Sequence, residues 1–408
     1  MKGKAAAIFG IDPADERMQA AGARLFDVPL RELAAQRAER RIRQLSRGSR
    51  RATVDEASGK TAPELGEGQG RAASAGRLGR LLRAYRARIQ FAQWNDWSAR
   101  AASTGIALAR STPYDVIASS GPPHAAHEAA RRIAASVGRP LVIDLRDPWF
   151  SDDVEPPELR GPYWRTVTAS DEARAVQQAA LVIVNTDSCH ALMADRYPLW
   201  RDRFLTVMNG ADPEVAVPAA TPGSEFIISH TGSLYSGRDP RILFRAVAAV
   251  VQRLHLRPGD IRVHFMGDDL YEGRALHELA AECGVASFTV CEGRRPRAAA
   301  LELIRASAMV VLLPQQHVHS IPGKVFEYVQ LPTWPLILAD RGSATELLLR
   351  DTGADIVSPT DVDSLTDAIT RRYLAFRRGE RPAPLNADGR FDRSRQATRL
   401  LDALDALA

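Results

Sequence analysis

Residues 308–340 read A-M-V-V-L-L-P-Q-Q-H-V-H-S-I-P-G-K-V-F-E-Y-V-Q-L-P-T-W-P-L-I-L-A-D, and within them His319–Tyr328, H-S-I-P-G-K-V-F-E-Y, decides the fold. Apolar β-like runs flank the stretch on both sides, A-M-V-V-L-L-P before it and P-L-I-L-A-D after it. The Pro-Gly turn before an apolar helix start predicts a strand, a turn and a helix in that order. In open α/β sheets, ligands bind at the carboxyl ends of such strands. A helix start leaves backbone N–H groups unpaired at its positive end, and Lys324 in the first turn adds a cation suited to phosphate. Glu327, about one turn on, can accept hydrogen bonds from ribose hydroxyls. Solvated Lys and Glu on a plain surface helix are the alternative.

Outward from this stretch, short apolar segments alternate with helical patterns almost throughout. The expected strands are Ala5–Ile8, Leu25–Val28, Asp115–Ser119, Leu141–Leu145, Leu181–Asn185 and Phe204–Met208, then Phe226–Ser229, Ile261–Met266, Phe288–Cys291, Met309–Leu313, Leu336–Ala339 and Ile356–Val357. Alternation of this kind predicts an α/β protein with parallel sheets covered on both faces. Twelve strands and 408 residues ask for two sheets and two domains. The Pro/Gly-rich stretch Val215–Gly223 places the boundary, giving domains at 1–215 and 222–385 and a terminal helix within 386–408.

A composition of 45% apolar and 25% charged residues is that of a water-soluble globular chain. Neither a membrane-length apolar run nor a signal-peptide core is present, so a cytoplasmic location is expected. Three scattered cysteines exclude a disulfide framework. His317 and His319 stand two apart with no acidic or cysteine partner close by, and no metal site is expected.

The net charge of +5 is concentrated. Between Arg37 and Arg88 there are 14 Lys and Arg against 5 Asp and Glu. Residues 37–76, rich in Ser, Gly, Ala and Arg, read as a flexible basic insertion. Beyond them Leu78, Leu82, Tyr85 and Ile89 fall near one helical face and Arg80, Arg83 and Arg86 on others, with Phe91, Trp94 and Trp97 following. Residues 77–97 therefore suit either an anionic membrane surface or packing on their own domain. Nucleic acid is not expected as a partner, since no binding motif accompanies the charge.

Two more loops carry candidate chemistry. S-H-T-G-S-L-Y-S-G-R-D, Ser229–Asp239, lets Gly232, Ser233 and Gly237 bring backbone amides to a diphosphate that Arg238 would bind, or is an ordinary turn. S-S-G-P-P-H-A-A-H, Ser119–His127, puts His124 at a strand's carboxyl end near a helix start, where the helix dipole disfavours its charged form. His127, one turn later, packs or caps. Arg146 and Asp147 of D-L-R-D-P-W lie on the neighbouring loop, near the site or as a salt bridge closing it.

These motifs, together with V-M-N-G-A-D at Val207–Asp212 and T-E-L-L-L-R-D-T-G-A-D-I-V-S-P at Thr345–Pro359, resemble in order and spacing the bacterial retaining glycosyltransferases of the GT-B fold, group 1 or family four. The resemblance covers roughly residues 117–370 and the terminal helix. It implies two Rossmann-like domains facing a cleft, with the acceptor on the N-terminal one and a nucleoside-diphosphate sugar on the C-terminal one. The last helix would return to the N-terminal domain. It further implies transfer with retention, no cofactor and no obligatory metal. By position, Gly232, Ser233, Gly237, Arg238, Gly267, Ser320, Pro322, Gly323, Lys324 and Glu327 would bind the donor, Glu327 as the second Glu of the E-x7-E signature. His124, Arg146, Asp147 and His319 would meet the sugar or acceptor, with His319 in place of the signature's first Glu. His124, Arg238 and Lys324 would serve the reaction itself. The resemblance also implies that the chain begins at the family's second strand.

The expected activity is glycosyl transfer to a polysaccharide, glycolipid or other cell-surface glycan precursor at the inner face of the membrane. A 2-epimerase acting on a sugar nucleotide and a non-catalytic scaffold of the same fold are the alternatives.

Overall fold

The computed structural model describes residues 28–34, 36–37, 77–149, 161–212, 223–234, 238–314 and 318–407. Apart from Val28 and Arg37, the two earliest expected strands and the basic insertion lie outside the described residues, as does nearly all of the boundary at 215–223.

A helix of 35 residues, α1 (Arg77–Ser111), precedes the first sheet. It leads to β1 (Ile117–Gly121), α2 (Ala125–Val137), β2 (Leu141–Leu145), α3 (Pro162–Gln178), β3 (Leu181–Val184), α4 (Asp187–Arg196) and β4 (Phe204–Thr206). The sheet order is β1-β2-β3-β4, with β1 parallel to β2 and Gly121 in register with Leu145. Phe91, Trp94 and Trp97, read from the sequence as following the amphipathic helix, lie inside α1. The buried Ala87, Gln93, Ser98 and Ala102 carry the helix onto α2 and α3. Ser98 Oγ is bonded to the Ala125 carbonyl at 2.8 Å, and Trp97 Nε1 donates to the Val28 carbonyl at 2.8 Å. This part of α1 is thus covered by its own unit. Leu81, Leu82 and Tyr85, nearer its start, are exposed.

The second sheet is built from β5 (Phe226–Gly232), α5 (Arg241–Leu254) and β6 (Ile261–Gly267), then the small hairpin β7 (Leu270–Tyr271) and β8 (Arg274–Ala275) with α6 (Leu276–Glu282) and β9 (Thr289–Glu292). There follow α7 (Arg297–Ala306), β10 (Met309–Leu312), α8 (Lys324–Tyr328), β11 (Trp334–Leu338), α9 (Ala344–Leu349), β12 (Asp355–Val357), α10 (Val362–Arg377) and α11 (Arg393–Asp405). The six-stranded order is β12-β11-β10-β5-β6-β9, all pairs parallel. From β5 the chain runs outward through β6 to β9, then crosses to β10 on the other side. This reversal opens a crevice beyond the carboxyl ends of β5 and β10.

Local chemistry explains the elements. Every residue of β10 and β11 is buried, as continuous apolar runs in a doubly covered parallel sheet require. In α5, Leu243, Ala246, Val247 and Val250 recur at helical spacing and are fully buried on the sheet. Ser343 caps α9 by accepting from Glu346 N, and Asp361 caps α10 by accepting from Ser364 N at 2.9 Å.

All ten expected strands that fall on described residues form, within a few residues. Asp115–Ser119 becomes Ile117–Gly121, and Phe288–Cys291 begins one residue later because Phe288 closes a 3-10 turn. By compactness the second unit takes Thr206–Asp405 with Val184–Asp195. Residues 206–212, drawn with the first half on sequence, are tied to the terminal helix segment: Ala211 N donates to Phe391 O at 2.6 Å and Arg393 N to Ala211 O at 3.0 Å.

Candidate functional site

Beyond the ends of β5 and β6, and beside α8, which follows β10, lies a cavity of about 360 Å3. Among its lining residues are Gly232, Ser233, Gly267, Lys324 and Glu327, five of the expected donor residues. β5 and β6 pair with Gly232 opposite Gly267, so both glycines stand at the strand ends. At φ +106° Gly232 adopts a conformation that side chains disfavour, and a Cβ there would collide with Lys324 Nζ. A Cβ on Gly267 would collide with the Gly232 carbonyl.

Lys324 begins α8 and donates to the Thr231 carbonyl. Burial, and secondarily the charge of Arg238, lowers its pKa below the ordinary lysine value. Arg238 does not line the cavity, yet its charge bears on Lys324 and on His230 beneath, so the two loops present their cations to one region. His230 is fully buried and shifted down to about 3, by burial first and then by Lys324. Its Nδ1 lies 3.1 Å from the Val311 carbonyl, an acceptor only, so Nδ1 carries the proton. His230 is therefore a neutral support for the end of β5.

The sequence overstates the contribution of α8 as a dipole. It spans five residues, too short for a developed macrodipole, and the positive character comes from side chains. Three of these were missed: Arg294, Arg295 and Arg297 also line the cavity. Arg297 pairs with Glu327 at 2.9 Å, and Arg294 with Asp268 at 2.6 Å. The run R-R-P-R directly after β9, at a strand's carboxyl end, was the available signal. Ala300, Leu301 and Ile304 of α7 supply an apolar wall.

Of the remaining expected donor residues, Gly237 lies outside the described residues. Pro322 and Gly323 form the turn that presents Lys324, their carbonyls accepting from Val325 N and Phe326 N. Ser320 and His319 precede that turn and do not line the cavity. The His319 carbonyl accepts from Thr186 Oγ1 at 2.6 Å.

In the first unit the loops after β1 and β2 bring His124, Arg146 and Asp147 together, since Arg146 N donates to the Gly121 carbonyl at 3.0 Å. His124 stacks on Trp149, a residue overlooked as a site candidate, with ring centroids 4.9 Å apart. Its pKa is lowered well below the usual value, chiefly by burial and then by the charges of His127 and Arg146. His127 packs, its Nδ1 bonded to Ser119 Oγ at 2.9 Å. Burial raises the Asp147 carboxyl, and Arg146 opposes the rise.

No protein-family model matches the chain. A D-inositol 3-phosphate glycosyltransferase of Corynebacterium urealyticum is 27% identical over 157 residues, which span 35% of this chain and only 37% of that protein. Among solved structures, HepE of Anabaena in complex with UDP and glucose superposes with a TM-score of 0.57 at 17% identity, over 76% of this chain and 82% of that one. Sucrose-phosphate synthase of Thermosynechococcus elongatus gives a TM-score of 0.53 at 16% identity, over 77% and 79%. For the UDP-forming trehalose-phosphate synthase of Burkholderia xenovorans, in complex with glucose 6-phosphate, the values are 0.55 and 15%, over 79% and 80%. At these identities the likeness establishes the fold: α/β with parallel sheets, of the GT-B class of these glycosyltransferases.

Proposed function

We propose that the chain is a glycosyltransferase that moves a hexose-like unit, with retention, from a nucleoside-diphosphate sugar to a polysaccharide, glycolipid or other cell-surface glycan precursor. The observation that carries the reading is the crevice beside the strand-order reversal, where Gly232 and Gly267 let the ends of β5 and β6 and the Lys324 side chain come close together and Lys324 and Glu327 face the space together. Lys324, with Arg238 close by, neutralises the diphosphate, and Glu327 accepts from the ribose. Three relatives and neighbours support the reading: HepE holds UDP-glucose in another complex, the trehalose-phosphate synthase is UDP-forming, and the curated relative is itself a glycosyltransferase.

In the transfer, the bond between the anomeric carbon and the leaving phosphate oxygen breaks, and its electron pair goes to the diphosphate. Lys324 and Arg238 stabilise that developing charge. The acceptor hydroxyl bonds to the anomeric carbon on the same face, and its proton passes to the departing phosphate oxygen. His124, held neutral by burial, positions the sugar or acceptor.

A panel of UDP, GDP, ADP and dTDP identifies the donor base, because a ligand that binds only the folded state adds about 2.7 kcal/mol of stability at a hundred times Kd and so raises the melting temperature. One of the four is expected to raise it, and no rise with any would remove the donor assignment. Labelled nucleotide sugar then separates transfer or donor hydrolysis from formation of an epimer and from no reaction.

Among the described residues, no helix is long and apolar enough to cross a membrane. The exposed Leu81, Leu82 and Tyr85 at the start of α1, beside Arg80, Arg83 and Arg86, support peripheral binding to an anionic inner leaflet. Changing the three arginines to Gln is expected to weaken binding to anionic vesicles by roughly 1 kcal/mol per charge at low salt. If the parent protein fails to sediment with such vesicles, the start of α1 is an ordinary surface.

A further inference from the structure

The second unit holds another cavity, of about 560 Å3, at the ends of β11 and β12. It shares no lining residue with the donor crevice, and β10 separates β11 from β5 in the sheet order. Ile356 and Val357 give it an apolar side, and Arg341, Arg350 and Ser358 bring polar groups to it. Among the described residues, Glu346 is the one carboxylate in its lining. Its Oε2 accepts from Arg350 Nη2 at 3.1 Å and from Gly342 N at 3.0 Å, so it is committed to both. Arg341 has no ion-pair or hydrogen-bond partner among the described residues.

The backbone that carries Arg341 is fixed. In the turn 340–343, Ser343 N donates to the Asp340 carbonyl at 3.1 Å and Gly342 N to Glu346. One residue on, Ala344 N donates to the Val318 carbonyl at 2.8 Å. Gly342, at φ +82°, supplies a conformation that side chains disfavour. A cation on a fixed turn loses less freedom on taking a ligand than one on a mobile loop.

Two guanidiniums against one carboxylate leave a net positive charge, which repels a cation and which a neutral ligand does not answer. A hydrocarbon would strip water from the ionised groups and return no hydrogen bonds. A lone carboxylate occupies a single guanidinium fork. A phosphate monoester carries about −1.5 to −2 charges at pH 7 and three acceptor oxygens, enough for both guanidiniums and the Ser358 hydroxyl. Inorganic phosphate fills only a small part of the space, so the organic group of an ester is needed to cover Ile356 and Val357. We propose that this cavity binds a small soluble phosphate monoester, at a site separate from the donor crevice and independent of the glycosyl-transfer reading.

Calorimetry on the full-length protein tests this with glycerol 3-phosphate, ribose 5-phosphate and glucose 6-phosphate. Glycerol, ribose and glucose serve as the neutral counterparts, and inorganic phosphate as the bare anion. At least one ester is expected to bind saturably and more tightly than inorganic phosphate, while its neutral counterpart does not bind. Arg341→Gln is expected to weaken that ester by about tenfold or more, the scale of one lost hydrogen bond between charged groups. Because Arg341 is exposed and bonded to no described residue, this variant keeps its melting temperature. Lys324→Ala removes the same unit of charge from the donor crevice and is expected to leave the ester's affinity unchanged.

The proposal is overturned if no ester binds or if ester binding is indifferent to Arg341→Gln. It is equally overturned if Lys324→Ala abolishes binding, which would place the ester in the donor crevice. Equal affinity for the ester and for inorganic phosphate, or for its neutral counterpart, would also sink it, since the cavity would then not recognise an ester.

Discussion

Lys324→Ala lowers turnover of the proposed transfer by a factor of about ten to a thousand, the usual loss when one electrostatic contact to a developing negative charge is removed. The melting temperature hardly moves, because the folded protein gains little from a buried ammonium whose charged form burial already disfavours. Arg238→Ala acts on the same leaving group and falls in the same range. Since each cation already bears on the other, the double variant is expected to lose less than the sum of the two free energies. Steady-state kinetics on the four proteins checks this. Strict additivity, or normal turnover in Lys324→Ala, would show that the two loops do not serve one ligand.

Glu327→Ala weakens nucleoside-diphosphate binding by about 1.5–3 kcal/mol, the range for hydrogen bonds to a charged group. The same change also releases Arg297, whose guanidinium pairs with Glu327 at 2.9 Å. Arg297→Ala is therefore the companion variant: it removes the ion pair but keeps the carboxylate, and a ribose contact made by Glu327 survives in it. Calorimetry on both variants separates the roles. Unchanged affinity in Glu327→Ala sinks the ribose assignment, and equal losses in the two variants would mean that the ion pair matters and not the carboxylate.

What the sequence could reveal depended on how local the cause was. The strands of the second sheet were legible because continuous apolar runs such as Met309–Leu312 can only be buried on both faces. Lys324 and Glu327 were legible because strand, Pro-Gly turn and cation follow one another within a few residues. The run R-R-P-R marked Arg297 as a cation near a strand's end, but its pairing with Glu327, thirty residues away, was not legible, because no local pattern marks an ion pair of that separation. Trp149 stood inside a quoted motif, but its stacking on His124 depends on β1 and β2 lying side by side. The aromatics of α1 were placed just after the amphipathic stretch. Contacts with α2 and α3 extend the helix through them to Ser111.

The contact between Lys324 and the Thr231 carbonyl joins residues 93 positions apart, across the point where the strand order reverses. A long loop must close before that contact forms, and its closure entropy is recovered only when β10 settles against β5. No contiguous fragment ending before α8 can contain the donor crevice. During synthesis, the proposed nucleotide binding would thus become available late, only once the second sheet has been threaded from both sides of β5. Ligand capture by a growing or truncated chain would then time the completion of that sheet, much as a latch that engages only on a fully shut door.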